Sequence, residues 1–275
     1  MSDQALAPEL VRRYLAALGV APAKPSLAAL RELVFVQLTR IPFENISKLY
    51  NRKRHGLIDL PSIERYLEGI ERYHFGGTCY SNNFYFCSLL ASLGYDAKLC
   101  GADMNAPDAH AVCMAAVDGR EYLIDAGYAA PFLAPMPRDL ATDYVIELGR
   151  DRFVLSPPDG NGYSRLDMYR DGQRIHGYVA KPARKTLEDF RSAIAGSFKP
   201  DATFLNSLLL TRFYAAREVM IHNWKLIESR GSESVVRTLA NRDQLAAAVE
   251  EHFEMPRAKV EEAIDELGDL QDPWT

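Results

Sequence analysis

The chain has 275 residues, 48% of them hydrophobic and 25% charged, enough apolar content to bury a sizeable core in one or two domains. Its net charge of −5 argues against a general affinity for nucleic acid or an anionic membrane surface. Four cysteines (Cys79, Cys87, Cys100, Cys113) are too few for a disulfide scaffold, and no CxxC, CxxxH or HxxxH spacing points to a structural zinc.

The N-terminal "MSDQALAPELVRRYLAALGV" reads as a soluble amphipathic helix rather than a signal peptide, and no window is apolar enough for long enough to span a bilayer. The expected setting is therefore a reducing cytoplasm with free thiols. Residues 8–20 and 26–40 have helical spacing, with Leu30, Leu33, Val34 and Leu38 on one face. Pro42 ends the second helix inside "RIPFEN". A third helix is predicted over 60–71. A fourth starts at Cys79, with Tyr80, Phe84, Cys87 and Ala91 along one stripe and Gly94 as its stop.

After residue 94 the pattern turns to strands. "DAKLCGADM", "HAVCMAAV", "EYLIDAGY", "YVIEL", "RFVLSP", "SRLDMYRDG" and "RIHGYVAKP" follow one another, with Asp-Gly turns predicted at 159–160 and 171–172. An antiparallel β-barrel is the natural closure for so many short strands. Helix returns at 186–196, 242–254 and 256–268, and 208–230 mixes strand-like and polar pieces. The fold class is thus α+β. A helical bundle is expected over 1–94, a barrel with its connecting helix over 95–205, and an α/β lid over 206–275.

The chemistry gathers around "HFGGTCYSNN", residues 74–83. Thr78 is a predicted N-cap, which puts Cys79 in the first helical turn, where the dipole and unbonded N–H groups favour a thiolate or a developing oxyanion. Gly76 and Gly77 lack Cβ atoms and would let another group approach the sulfur. The plain alternative is a core cysteine after a glycine turn. Cys87, Cys100 and Cys113 lie within apolar segments and read as small buried hydrophobes.

His110 and Asp125 lie on a hairpin whose turn is Asp118-Gly119. Pairing Val117 with Arg120 puts Val112 opposite Asp125 and His110 opposite Gly127. His110 and Asp125 then share a face as diagonal neighbours with Cβ atoms about 7 Å apart, close enough for an imidazole to meet a carboxylate. A one-residue bulge would separate them. Each residue alone reads as an ordinary strand-end group. Together with Cys79 they fit a Cys–His–Asp site, in which histidine takes the thiol proton and aspartate fixes its tautomer.

These residues resemble the arylamine N-acetyltransferases. "FGGTCYSNN" is similar to that family's Arg-Gly-Gly-x-Cys-x-Glu-x-Asn motif, and "HAVCMAAVDGREYLIDAGYA" to its histidine strand and Asp-Ala/Val-Gly-Phe-Gly segment. "RIPFEN", "KPARKTLEDFRSAIAGSFKPDATF" and "HFEMPRAKVEEAI" are also similar to family segments. The resemblance implies a cysteine-protease-like core used for acyl transfer, with Cys79 as nucleophile, His110 as base and Asp125 as orienting acid. It implies ping-pong chemistry with acetyl-CoA as co-substrate, an arylamine, hydrazine or similar amine as acceptor, and no metal. Phe43 and Tyr128 match acceptor-pocket positions, and Gly127 and Ala129 lie where the family backbone runs close to CoA.

Three departures stand out, one of them Ala129, which stands where the family's Gly-Phe-Gly loop has its second glycine. Phe75 replaces the motif's arginine, which in the family resembles a partner of the "PFEN" acid, here Glu44; Ser81 replaces its glutamate. Glu44 is expected to find a donor in Arg72, His74 or a backbone group. An amide synthase closing a macrolactam, as some relatives do, or an acyl hydrolase, would use the same three residues. A catalytically silent binding protein is the reading from another class.

Overall fold

Capping and turn signals start and stop the first helices close to where the sequence places them. A computed structural model describes residues 5–268 and 270, so residues 1–4 of the N-terminal stretch lie outside the described part. Helix α1 spans Pro8–Leu18 and ends on left-handed Gly19. Helix α2 spans Leu27–Arg40, capped by Ser26, whose hydroxyl accepts from Ala29 N at 3.2 Å. A two-residue strand β1 (Phe43–Glu44) and helix α3 (Ile46–His55) follow, and neither is predicted from the sequence. Helix α4 is Ile63–Tyr73 rather than 60–71, because Ser62 caps it at Arg65 N. Helix α5 runs Cys79–Ser92 and is buried along most of its length.

The seven predicted strands then appear in order, joined by a two-residue strand, β5, that the sequence does not predict: β2 (Asp96–Asp103), β3 (His110–Val117), β4 (Arg120–Ile124), β5 (Met136–Pro137), β6 (Tyr144–Leu148), β7 (Asp151–Leu155), β8 (Ser164–Arg170) and β9 (Gln173–Arg184). They form one antiparallel sheet in the order β5-β4-β3-β2-β9-β8-β7-β6, a nearly closed barrel. Asp118-Gly119 and Asp171-Gly172 make the expected two-residue turns, all four residues having positive φ. Asp159-Gly160 does not. Asp159 Oδ1 instead accepts from Asn161 N and Tyr163 N, and the chain closes a longer loop there, with positive φ at Gly162.

Beyond a 3₁₀ turn (Glu188–Phe190) lie α6 (Arg191–Gly196) and α7 (Thr203–Asn206). Strands β10 (Leu209–Phe213), β11 (Arg217–His222), β12 (Lys225–Arg230) and β13 (Glu233–Thr238) form a second antiparallel sheet, which β1 joins at the β10 edge. Helices α8 (Arg242–Phe253) and α9 (Arg257–Ile264) complete the described chain. One apolar cluster binds α1, α2, α4 and α5 to the barrel; a second joins α3 to the C-terminal sheet and α8–α9. The segment that leads into Cys79 lies between the two: Phe43 bridges to Gly77, and Glu44 N donates to Gly77 O at 3.1 Å. No helix among the described residues is long and apolar enough to cross a membrane.

Candidate active site

Cys79 is the first residue of α5, as the sequence indicates, but its surroundings differ from the prediction in two respects. Thr78 occupies the N-cap position with extended backbone, yet its hydroxyl makes no capping bond. The helical ladder opens with Asn82 N donating to Thr78 O at 3.0 Å, so the N–H groups of Cys79, Tyr80 and Ser81 precede it. The glycines serve the protein's own packing rather than open space beside the sulfur. A Cβ on Gly76 would meet Pro42 O at 1.9 Å, and one on Gly77 would meet Ser81 Oγ at 2.0 Å. Cys79 is itself buried, at 9% exposure, and so are Cys87, Cys100 and Cys113.

The hairpin follows the predicted register from Val117↔Arg120 to Cys113↔Ile124, where the β3–β4 ladder ends. The extrapolated pairs of Val112 with Asp125 and His110 with Gly127 are not part of it. Asp125 instead leaves the strand in a tight bend in which its own Oδ1 accepts from Gly127 N at 2.9 Å. The side-chain meeting survives this change, and His110 Nε2 lies 2.8 Å from Asp125 Oδ2 with both residues fully buried.

Burial alone lowers the His110 pKa, but the charge and hydrogen bond of Asp125, then the hydrogen bond and charge of Cys79, outweigh it and raise the imidazole pKa well above its ordinary value. Burial likewise pushes Asp125 up, and His110, Asn83 and the Gly127 N–H together bring it below the usual carboxylate value. With Nε2 committed to Asp125, Nδ1 is the ring nitrogen left for the Cys79 thiol.

Two adjacent asparagines of α5 fix this geometry. Asn83 Nδ2 donates to Asp125 Oδ1 at 2.8 Å and to Ala111 O at 2.6 Å, while its Oδ1 accepts from Ala126 N at 2.7 Å. Asn82 Nδ2 reaches Gly77 O at 3.0 Å, and its Oδ1 accepts from Tyr66 OH at 3.0 Å. Helix α5 is thereby bolted to the hairpin through fully satisfied amides. The available signal was their position: asparagine disfavours helix interiors unless its side chain has tertiary partners.

Phe43 and Tyr128 line one small hollow, about 210 Å³ counting the space open to solvent, with Leu38, Ile41, Ala129 and Phe213. The Tyr128 hydroxyl is bonded to His176 Nδ1 at 2.8 Å, and its ring stands edge-on to His110 at 5.7 Å. Gly127 is packed against the cysteine: a Cβ there would sit 2.5 Å from Cys79 Cα. Ala129 adopts φ +58°, a left-handed conformation that suits glycine. Replacing Ala129 by Gly should relieve about 1 kcal/mol or more of backbone strain against a similar entropic cost in the unfolded chain, so stability should be unchanged or up to ~1 kcal/mol higher. Urea unfolding of A129G tests this; a clear loss of stability would show that the methyl has a packing role.

Glu44 is fully buried, and backbone groups donate to both its oxygens: Gly76 N to Oε1 at 2.9 Å and Ser47 N to Oε2 at 2.8 Å. Burial raises its pKa, and hydrogen bonding from the Ser47 side chain, then from the Ser47, Gly76 and Ile46 N–H groups, opposes the rise. Arg72 and His74 are engaged elsewhere, with Glu68 and Glu254. Phe75, in place of the expected arginine, packs among Tyr50 and Tyr73. Among the described residues no group of three His, Cys, Asp or Glu side chains is arranged to hold a metal.

The N-acetyltransferase family model matches residues 26–260. The chain belongs to that family. It is similar to proansamycin X synthase of Amycolatopsis mediterranei, 23% identical over 81% of this chain and 88% of that protein. Among solved structures it matches the arylamine N-acetyltransferase of Salmonella typhimurium at TM-score 0.79 and 17% identity, covering 94% of this chain and 99% of that one. The Mycobacterium marinum arylamine N-acetyltransferase, solved in complex with CoA, matches at TM-score 0.77 and 21% identity over 93% and 98%. Family membership and the shared fold support acyl-transfer chemistry of the N-acetyltransferase type.

Proposed function

We propose that the protein is an acyl-CoA-dependent N-acyltransferase, with acetyl-CoA as the first donor to test, working by a ping-pong mechanism through Cys79. The observation that carries this reading is the buried His110–Asp125 bond of 2.8 Å with Cys79 on the other side of the imidazole. In the first half-reaction His110 accepts the thiol proton and the sulfur attacks the donor carbonyl. The bond between the acyl carbon and the CoA sulfur breaks, and the CoA thiolate leaves with the proton from His110. In the second, His110 takes a proton from the incoming amine as it attacks the Cys79 thioester, and the cysteine sulfur is released to be reprotonated. Asp125 holds the imidazole with Nδ1 toward the sulfur, and Asn83 holds Asp125. The unbonded N–H groups at the start of α5 are suited to the oxyanion of both tetrahedral intermediates. Phe43 and Tyr128 would receive an aromatic amine, and the Gly127–Ala129 turn would lie along the CoA thiol arm.

Intact-mass spectrometry after exposure to a mixture of acyl-CoAs tests the reading directly. The expected result is one acyl mass on Cys79, discharged by an arylamine or hydrazine. Failure of every acyl-CoA to label Cys79, with no CoA released, would reject it. The likeness to proansamycin X synthase favours one second reading, an amide synthase using the same three residues on a biosynthetic acyl chain. That reading predicts an acyl-enzyme with a larger activated acyl group but none from acetyl-CoA.

A further inference from the structure

Near Cys79, Lys48 has no carboxylate at salt-bridge distance among the described residues. Lys48, in the first turn of α3, is half-buried. Its Nζ donates to Ser197 O at 2.7 Å and Ser197 Oγ at 2.8 Å, and stands 4.0 Å over the centre of the Phe198 ring. Those partners satisfy hydrogen bonds without neutralising charge. Among the described residues no carboxylate lies within 4.0 Å of it. The cations next along α3 are different: Arg52, Lys53 and Arg54 face Glu266, Asp265 and Glu262. Sequestered cations are normally paired, because removing an ammonium from water is costly.

Lys48 lines a cleft of about 580 Å³, counting the space open to solvent. Gly76, Gly77 and Thr78, the three residues before Cys79, form part of its wall, and Arg65 lines it as a second cation. Asp59 also lines it, but bonds to Leu60 N and pairs with neither cation at salt-bridge distance among the described residues. Burial lowers the lysine pKa to about 8; a charge on Cys79 opposes that effect and Arg52 adds to it. An arriving anion would reverse the shift and fix the charged form.

We propose that Lys48 determines specificity by binding a carboxylate carried by the substrate in the cleft beside Cys79. That carboxylate is either the far end of a dicarboxylic acyl chain or the acid group of an aromatic amino acid acceptor. The inference deepens the acyltransferase reading and rests on it.

The test compares wild type, Lys48→Met and Lys48→Arg. Single-turnover acylation of Cys79 is followed by intact mass with acetyl-CoA and with succinyl-CoA. Discharge of the acyl-enzyme is followed with 4-aminobenzamide and with 4-aminobenzoate. In K48M, one of the two carboxylate-bearing probes should react at least 10-fold more slowly while its neutral counterpart stays within 2-fold, and K48R should recover most of the loss. Loss with succinyl-CoA assigns the carboxylate to the acyl chain; loss with 4-aminobenzoate assigns it to the acceptor. Equal loss with neutral and anionic probes would overturn the proposal, as would no loss with either. A binding arm separates this failure from failure of the acyltransferase reading. Protection of Cys79 from iodoacetamide by 4-aminobenzoate or by succinate is measured in wild type and K48M. Protection that depends on Lys48 supports the carboxylate site even if no acyl-CoA labels the cysteine. Protection by neither, or equal protection in K48M, removes it.

Discussion

Asp125→Asn is expected to reduce acyl transfer by about 10²–10⁴-fold while leaving the fold intact, since removal of an orienting carboxylate of this kind has costs of that order. The asparagine keeps the shape of the aspartate. Its amide oxygen can still accept from Asn83 Nδ2 and Gly127 N, which now bond Asp125 Oδ1 at 2.8 and 2.9 Å. Its NH₂ would then face His110 Nε2, where Asp125 Oδ2 now accepts at 2.8 Å. That donor selects the tautomer with the proton on Nδ1, the nitrogen that takes the thiol proton in the proposed mechanism. Acylation rate by stopped assay with intact-mass readout, alongside a melting curve, checks this. A folded variant acylated within 3-fold of wild type would rule out the assigned role.

The same variant carries a pH signature. The folded-state pKa of His110 is raised from an ordinary 6.5 to about 10. Its charge therefore contributes stability that is fully present below about pH 6.5 and is lost as pH rises toward 10. In Asp125→Asn the main cause of that shift is gone, so the decline in stability across this window should flatten. Urea unfolding at pH 6.5 and pH 9 measures the difference.

Gly127→Ala is the second large effect. The new Cβ would lie 2.5 Å from Cys79 Cα and 2.8 Å from Asn83 Nδ2, and the first of these is backbone at the head of a helix that cannot yield cheaply. Overpacking of this kind costs about 1–3 kcal/mol. Relief must displace either Cys79 or the bend that carries Asp125, and a displacement of about 1 Å in a reacting group costs about 10²-fold in rate. Denaturant midpoint and acylation rate should therefore fall together. Normal acylation in a folded G127A protein would show that the bend has slack absent from this packing.

Much of the site was legible because its signals are local. Two Asp-Gly turns name their hairpins through the φ that only a few residues accept, and period-two alternation fixes the register between them. The register reading reached the His110–Asp125 meeting even though the ladder stops at Cys113↔Ile124, since the bend after Ile124 keeps Asp125 on the same side. Glycine at 76 and 77 is plain in the sequence but its purpose is not, because which atom fills a missing Cβ is a property of the packed structure.

What the sequence by itself determined is the helix start at Cys79, the hairpin that carries His110 to Asp125, and the order of helices, barrel and C-terminal mixed region. Each depends on caps, turns and periodicity within a few residues. Only the tertiary structure decided what lies between. Helix α3 has an apolar face one turn long and four basic residues at its end, and it is held by Glu262, Asp265 and Glu266 from the far end of the chain. Strand β1 is too short to show any pattern and exists because β10 pairs with it. Asn45 bonds to the backbone of Phe204, Ser207 and Leu209, and Glu44 takes its donors from Gly76 and Ser47. Such bonds join residues remote in sequence, and no periodicity records them: a polar group buried without water must find a partner, but which one it finds is set by packing.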